Sequence, residues 1–215
     1  MSGFVGSHLR NRLAREETFQ VLPYEDSFYE NPGIFIDFVQ KADVIVHLAG
    51  VNRHEPEIVY RKNIELMKHL LQFVDASGNK PYILFSSSTQ IERDNEYGRG
   101  KKQAMELLEE WSVKNKIPAV SMVIPNVFGD GGKPFYNSVV ATFCHQITHG
   151  QQPEIQIDSQ MTMIYINDLV EDICRLINNP PNGYHVEYIK PRVNAKVSEI
   201  LALLNKFKDS YFNRG

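Results

Sequence analysis

Apolar and polar positions along the chain alternate between two periods, and that alternation sets the expected elements. Asp43-Val-Ile-Val-His-Leu48 is a β-branched apolar run bounded by Asp and by Ala49-Gly50, so it reads as a buried strand. Tyr82-Ile-Leu-Phe85, running into Ser86-Ser87-Ser88, and the stretch 120–124 read the same way, and Phe19-Gln-Val-Leu22 reads as a further short strand. Phe35, Phe38 and Val39 have helical spacing. Val59, Asn63, Met67, Leu70 and Val74 recur at steps of three and four, one face of a long helix that stops at Ala76-Ser77-Gly78. A helix over about 96–114 turns Met105, Leu108 and Trp111 inward. Further helices are expected over 137–149, from Asp168 and from about Val197, with short strands near Ile155, over 163–166 and over 184–189.

Strands alternating with helices argue for an α/β fold, a parallel sheet with helices on both faces. Beyond Gly129 the rhythm changes, and a Gly- and Pro-containing loop (129–134) opens what reads as a smaller lobe. The expectation is a single domain over 1–215, with a dinucleotide-binding part over about 1–128 and a mostly substrate-binding lobe over about 129–215. Ligands of open α/β sheets bind at the carboxyl edge of the strands.

Composition narrows the partners. With 42% hydrophobic residues, 23% charged residues and a net charge of −3 over 215 residues, the chain has a core-forming composition and no basic footprint for nucleic acid. No apolar run approaches the length of a membrane span. Cys144 and Cys174 both fall in predicted helices and read as free thiols of a reducing compartment, so a cytoplasmic protein is expected. His145 and His149 share a helix face, but no acidic or third ligand lies near them in sequence, so no metal site is expected.

The candidate chemistry centres on Ser88 and on Tyr97-Gly98-Arg99-Gly100-Lys101. Tyr97 and Lys101 are four apart and share one face of a helix. An ammonium beside a phenol favours the phenolate and brings its pKa down from the usual value of about 10. A tyrosine tuned in that way can exchange a proton with a substrate oxygen near neutral pH. Ser88, at a strand end, can hold the same oxygen. At the N-terminus, Gly3-Phe4-Val5-Gly6 followed by Ser7-His8-Leu9 reads as the back half of a glycine-rich phosphate loop entering a helix. That reading places Met1-Ser2 at a truncation point. The strand that would precede it is expected between the 19–22 strand and the 82–85 strand, where its loss leaves an empty slot or a place for a foreign strand. Asn126, Lys133 and Asn137 lie in a loop and helix start that can hold a diphosphate; turn and cap chemistry is the competing reading for Asn137. His47 reads as a packed strand residue, and Lys102 as a solvated one.

These motifs resemble those of the extended short-chain dehydrogenase/reductase family, the sugar-nucleotide epimerases, dehydratases and reductases. Gly3-x-x-Gly6 looks like the last two glycines of the family's loop, His47-Leu48-Ala49-Gly50 like its strand-end motif beside the cofactor, and Asn63 like the helix asparagine that follows. Ser88, Tyr97 and Lys101 match its catalytic serine, tyrosine and lysine. Pro125-Asn126-Val127-Phe128-Gly129 matches the turn touching nicotinamide and substrate, and Ile164-Tyr165-Ile166-Asn167-Asp168 the late strand-to-helix junction. A narrower resemblance, carried by VHLAGVNR, LFSSSTQ, PNVFGDGGKPFYNSVVATFC and LLNKFK, is to the reductase domain of bifunctional capsular-polysaccharide enzymes on the route to UDP-N-acetyl-L-fucosamine.

The resemblance implies a Rossmann-type doubly wound sheet lacking its first strand here. It implies cofactor contacts at Gly3, Phe4, Val5, Gly6, Leu48, Ala49, Gly50, Asn63, Ser86, Tyr97, Lys101, Pro125 and Val127, and substrate contacts at Asn52, Arg53, Ser88, Asn126, Lys133 and Asn137. It also implies a homodimer through the helices around 60–74 and 97–114, and a cupin domain in the full-length protein. Three departures stand out: the first glycine of the loop is absent, no arginine precedes Pro125, and Leu22-Pro23-Tyr24-Glu25-Asp26 shows no basic residue for a 2′-phosphate. The acidic pair suits NAD, whereas the resemblance favours NADPH, so NADP or NAD is expected. The leading expectation is an NAD(P)H-dependent reductase of a 4-keto UDP-2-acetamido-2,6-dideoxy-L-hexose in capsule or O-antigen sugar-nucleotide synthesis. A sugar-nucleotide epimerase or dehydratase with bound NAD, and a non-catalytic dinucleotide-binding fold, are the alternatives.

Overall fold

The computed structural model describes residues 3–212. In chain order the elements are α1 (Phe4–Leu13), α2 (Pro32–Gln40), β1 (Val44–His47), α3 (Pro56–Ser77), β2 (Tyr82–Ser88), α4 (Glu96–Asn115), β3 (Ala119–Ile124), β4 (Asn126–Phe128), α5 (Val139–Thr148), β5 (Gln160–Tyr165), α6 (Ile166–Asn178), β6 (Tyr184–Tyr188), β7 (Val193–Lys196) and α7 (Val197–Phe212). The result is an α/β fold with one parallel sheet and a second, small mixed sheet. The chain divides into two compact units, 1–124 with 172–189, and 125–171 with 190–215.

The first unit is built on a four-stranded parallel sheet in the order β1-β2-β3-β6. β2 and β3 are apolar and fully buried over most of their length, as strands covered on both faces must be. Side chains alternate across the sheet. Ile83 and Phe85 join Met67, Leu70, Val74, Ala104 and Leu108 in a core formed with α3 and α4. On the opposite face the Tyr82 hydroxyl donates to the Leu176 carbonyl of α6 at 3.2 Å. α3 stops where the sequence places its end, with Gly78 as a left-handed cap at φ 69°, a conformation that a residue with a Cβ resists.

Two expected strands are absent. Residues 19–22 form no strand, and Pro23 follows without an N–H to offer a ladder. The slot expected between that segment and β2 does not exist either: β2 is flanked by β1 and β3, and β1 is an edge of the sheet. In the second unit, the segment around Ile155 is irregular. Strand pairing there passes to Gln160–Tyr165, which runs parallel to β4 and antiparallel to β7. β4 and β7 are short and partly exposed, so neither carries the apolar run that marks a strand in sequence. Phe143, Met163, Val197 and Ile200 form the core of this unit.

One polar contact fixes the approach to the sheet. The Asn79 amide donates to the carbonyls of Val39 at 3.0 Å and Ala42 at 2.7 Å, tying the end of α2 to the chain that enters β1. Asn79→Ala is expected to lower unfolding stability by about 1–3 kcal/mol, because two carbonyls lose their donor. Urea unfolding monitored by far-UV circular dichroism checks this.

Candidate active site

Lys101 is buried, at 2% exposure. It lies on the second turn of α4, and its ammonium donates to the Ser86 carbonyl at 3.0 Å. Its Nζ stands 4.7 Å from the centroid of the Phe85 ring and 5.9 Å from that of Tyr97. Burial drives the amine down from 10.5 to about 7. Gly50 makes the space: a Cβ there would stand 2.8 Å from Lys101 Nζ and 3.1 Å from Asn63 Oδ1.

The loop after β1 is held by Asn63, buried at 2% exposure. Its Nδ2 donates to Val51 O at 2.6 Å and Val59 O at 2.7 Å, and its Oδ1 accepts from Val51 N at 3.2 Å. Asn63 therefore binds its own chain at both ends of the amide and places Leu48, Ala49 and Gly50. His47 stacks on Phe85 at 5.7 Å and 20°, packed as a strand residue. Desolvation, reinforced by the neighbouring Lys101, lowers its imidazole from 6.5 to about 3, so it is neutral at physiological pH. Its Nε2 and the Ser87 hydroxyl are buried without a hydrogen-bond partner among the described residues.

Ser86 and Ser88 lie on one face of β2, with Ser87 on the other. The Ser86 hydroxyl donates to His47 O at 3.3 Å, and Ser88 Oγ accepts from Gln90 N at 3.2 Å, capping a 3-10 turn over Thr89–Glu92. α4 opens at Asn95, whose Oδ1 accepts from Gly98 N at 2.8 Å, so half-buried Tyr97 stands in its first turn. Gly100 lets α4 lie against α3, since a Cβ there would come within 2.9 Å of Tyr60 O. Lys102 is exposed. Gln90, Asn95, Gly98 and Gly100 escaped the sequence reading. The two glycines were a visible signal, because glycine inside a helix needs a reason.

At the N-terminus, Phe4, Val5 and Gly6 form the first turn of α1 rather than a loop, with Gly3 at the cap position and no side chain capping it. The first-turn amides are the kind of donors that take phosphate. Asn52 and Arg53 are exposed in the segment leading to α3.

The second unit carries the other candidates. Val127 is on β4 opposite Ile164, and Asn126 Nδ2 donates to Thr162 O at 3.3 Å; Pro125 directly precedes them. Lys133 Nζ lies 5.3 Å from the centroid of the Tyr136 ring. Asn137 is an exposed turn residue; the cap of α5 is Ser138, which accepts from Ala141 N at 3.2 Å. The cap reading for Asn137 therefore gives way to its neighbour. At the junction of β5 and α6, the Tyr165 hydroxyl donates to Asp130 at 3.2 Å, and Asp168 pairs with Arg192 at 2.9 Å. His145 and His149 stack at 4.0 Å, with His149 Nδ1 2.8 Å from His145 O. Neither Cys144 nor Cys174 is in a disulfide among the described residues. No helix among the described residues is long and apolar enough to cross a membrane.

The chain is 34% identical over 211 residues to a UDP-2-acetamido-2,6-beta-L-arabino-hexul-4-ose reductase of Pseudomonas aeruginosa, covering 97% of this chain and 56% of that protein. It superposes with a TM-score of 0.81 and 33% identity on the crystal structure of the capsular polysaccharide assembling protein CapF from Staphylococcus aureus, covering 99% of this chain and 58% of that one. The chain thus spans little more than half the length of these two relatives. An N-acetyl-alpha-D-glucosaminyl-diphospho-ditrans,octacis-undecaprenol 4-epimerase of Escherichia coli O157:H7 is 28% identical over 241 residues, covering 95% of this chain and 71% of that protein. The model of the NAD dependent epimerase/dehydratase family matches residues 1–190, and the chain belongs to that family.

Proposed function

We propose that the protein is an NAD(P)H-dependent reductase of a 4-keto UDP-2-acetamido-2,6-dideoxy-L-hexose. The observation that carries this reading is the Lys101 ammonium, buried four residues after Tyr97 and bonded to the strand that ends in Ser88. The reading takes the four-stranded sheet as part of a Rossmann-type doubly wound sheet. Gly3, Phe4, Val5 and Gly6 would take the dinucleotide phosphates; Leu48, Ala49, Gly50, Ser86, Pro125 and Val127 would border the nucleotide, with Asn63 acting through the loop it holds. Asn52, Arg53, Asn126, Lys133 and Asn137 are proposed for the UDP-sugar. The sequence resemblance alone implies a homodimer through α3 and α4 and a cupin domain in the full-length protein, and both belong to this reading.

NAD(P)H, when bound, would supply the hydride that reduces the carbonyl carbon. Ser88 Oγ–H donates to the carbonyl oxygen and orients it. Tyr97 Oη–H passes its proton to that oxygen as negative charge develops there. Lys101, when protonated, lowers the cost of the phenolate left behind. The neutral imidazole of His47 adds no competing positive charge beside it.

In the full-length protein, Tyr97→Phe should fold, bind cofactor, and reduce the keto sugar about 100- to 10,000-fold more slowly, the usual worth of a positioned acid. Turnover within about tenfold of the unaltered protein would contradict the role. A second reading, an epimerase with tightly held NAD, is favoured by the exposed Glu25 after the 19–22 segment, where an acidic side chain suits a ribose 2′-OH. Absorbance at 340 nm separates the two. The reductase oxidises one NADPH for each sugar reduced, whereas an epimerase returns its cofactor unchanged after every turnover.

A further inference from the structure

Only eight residues separate Ser88 from Tyr97, and the structure shows how that short link is gauged. The peptide groups around Gln90 touch both ends of it. The Gln90 N–H donates to Ser88 Oγ at 3.2 Å. The Gln90 carbonyl accepts from Arg93 N at 2.9 Å, closing the 3-10 turn, and lies directly against α4 at Gly98. A Cβ at Gly98 would stand 2.2 Å from that oxygen, 3.0 Å from its carbon and 3.0 Å from Arg93 O. All three are backbone atoms, so no flexible side chain can swing away to accept it.

We propose that Gln90 is a backbone spacer between Ser88 and Tyr97, and that Gly98 is the positioning residue which lets α4 close onto it. The inference rests on the reading of Ser88 and Tyr97 as partners at one substrate oxygen. The spacer does two things. It engages Ser88 Oγ as an acceptor, which directs the hydroxyl proton away from Gln90 and toward the substrate oxygen as a donor. It also sets the separation of the two hydroxyl-bearing residues by contact between main chains, which gives far less than side chains do. Any residue larger than glycine at position 98 must push the Tyr97 turn away from Ser88 or tear Gln90 from Ser88 Oγ.

The test has a structural arm and a catalytic arm. Amide hydrogen exchange followed by NMR reads the spacer directly. In Ser88→Ala and in Gly98→Ala the Gln90 amide should exchange about tenfold faster or more, while the β2 amides of Ile83–Phe85 keep their protection. Gly100→Ala crowds the other side of α4, against Tyr60, and should leave Gln90 within about twofold. In the catalytic arm, Gly98→Ala should lower kcat about 100-fold with the NADPH Kd held within about twofold, and on a Ser88→Ala background it should cost only a few-fold more. Unchanged Gln90 exchange in Gly98→Ala, or losses that multiply in full in the double variant, would overturn the proposal. Should Gly98→Ala not fold, exchange at Gln90 in Ser88→Ala decides: acceleration supports the spacer and unchanged protection overturns it. Absence of keto-sugar turnover in the full-length protein would defeat the reductase reading, and the exchange arm would still decide on the spacer.

Discussion

The burial of one ammonium group organises the first unit. Taking a lysine out of water is costly unless something replaces its hydration. Here the replacements are few: the Ser86 carbonyl at 3.0 Å and the face of Phe85 at 4.7 Å. They do not compensate fully, and the amine is driven down to about 7. Everything near it accommodates that placement. A Cβ at Gly50 would come within 2.8 Å of Nζ. Asn63 gives both ends of its amide to the backbone so that the loop carrying Gly50 stays in place. His47, stacked on the same Phe85, is held neutral. A residue kept at such expense beside a tyrosine and a strand-end serine is more readily explained by chemistry than by stability.

The same region shows what a helix start can do for a site. Tyr97 is in the first turn of α4, placed by the Asn95 cap on one side and by the Gln90 peptide on the other. α4 then lies close on α3 because Gly100 admits the Tyr60 backbone. The two glycines of Tyr97-Gly98-Arg99-Gly100-Lys101 thus serve two different contacts, and the tyrosine and lysine between and beside them inherit their positions from both.

Much of this was legible in the sequence, and the misses share a cause. α3, α4 and β2 carry long, regular apolar patterns, so local periodicity and tertiary burial agree. Residues 19–22 have the composition of a strand but no neighbour to pair with, and β4 and β7 have partners without the composition. Pairing decides such short segments, and pairing is not local information. Ser88, Tyr97 and Lys101 stand out in the sequence because their residue types and spacing suit the proposed chemistry. Gln90 was invisible because it acts through its peptide group, which every residue has. Ser138, not Asn137, caps α5 because caps are settled by a single residue of register.

The account turns on Lys101 titrating near neutrality. The sign follows from the shift: the folded amine, at about 7 instead of 10.5, is charged below that value and neutral above it, whereas the unfolded chain stays protonated up to the ordinary value. The most direct measurement is the NMR titration of the lysine Cε and Nζ resonances in the free protein, with Lys101 assigned by its disappearance in Lys101→Met. A resonance that titrates with a midpoint near 7 is the predicted result; a Lys101 amine that stays protonated until about 10, like the solvated lysines, would contradict it.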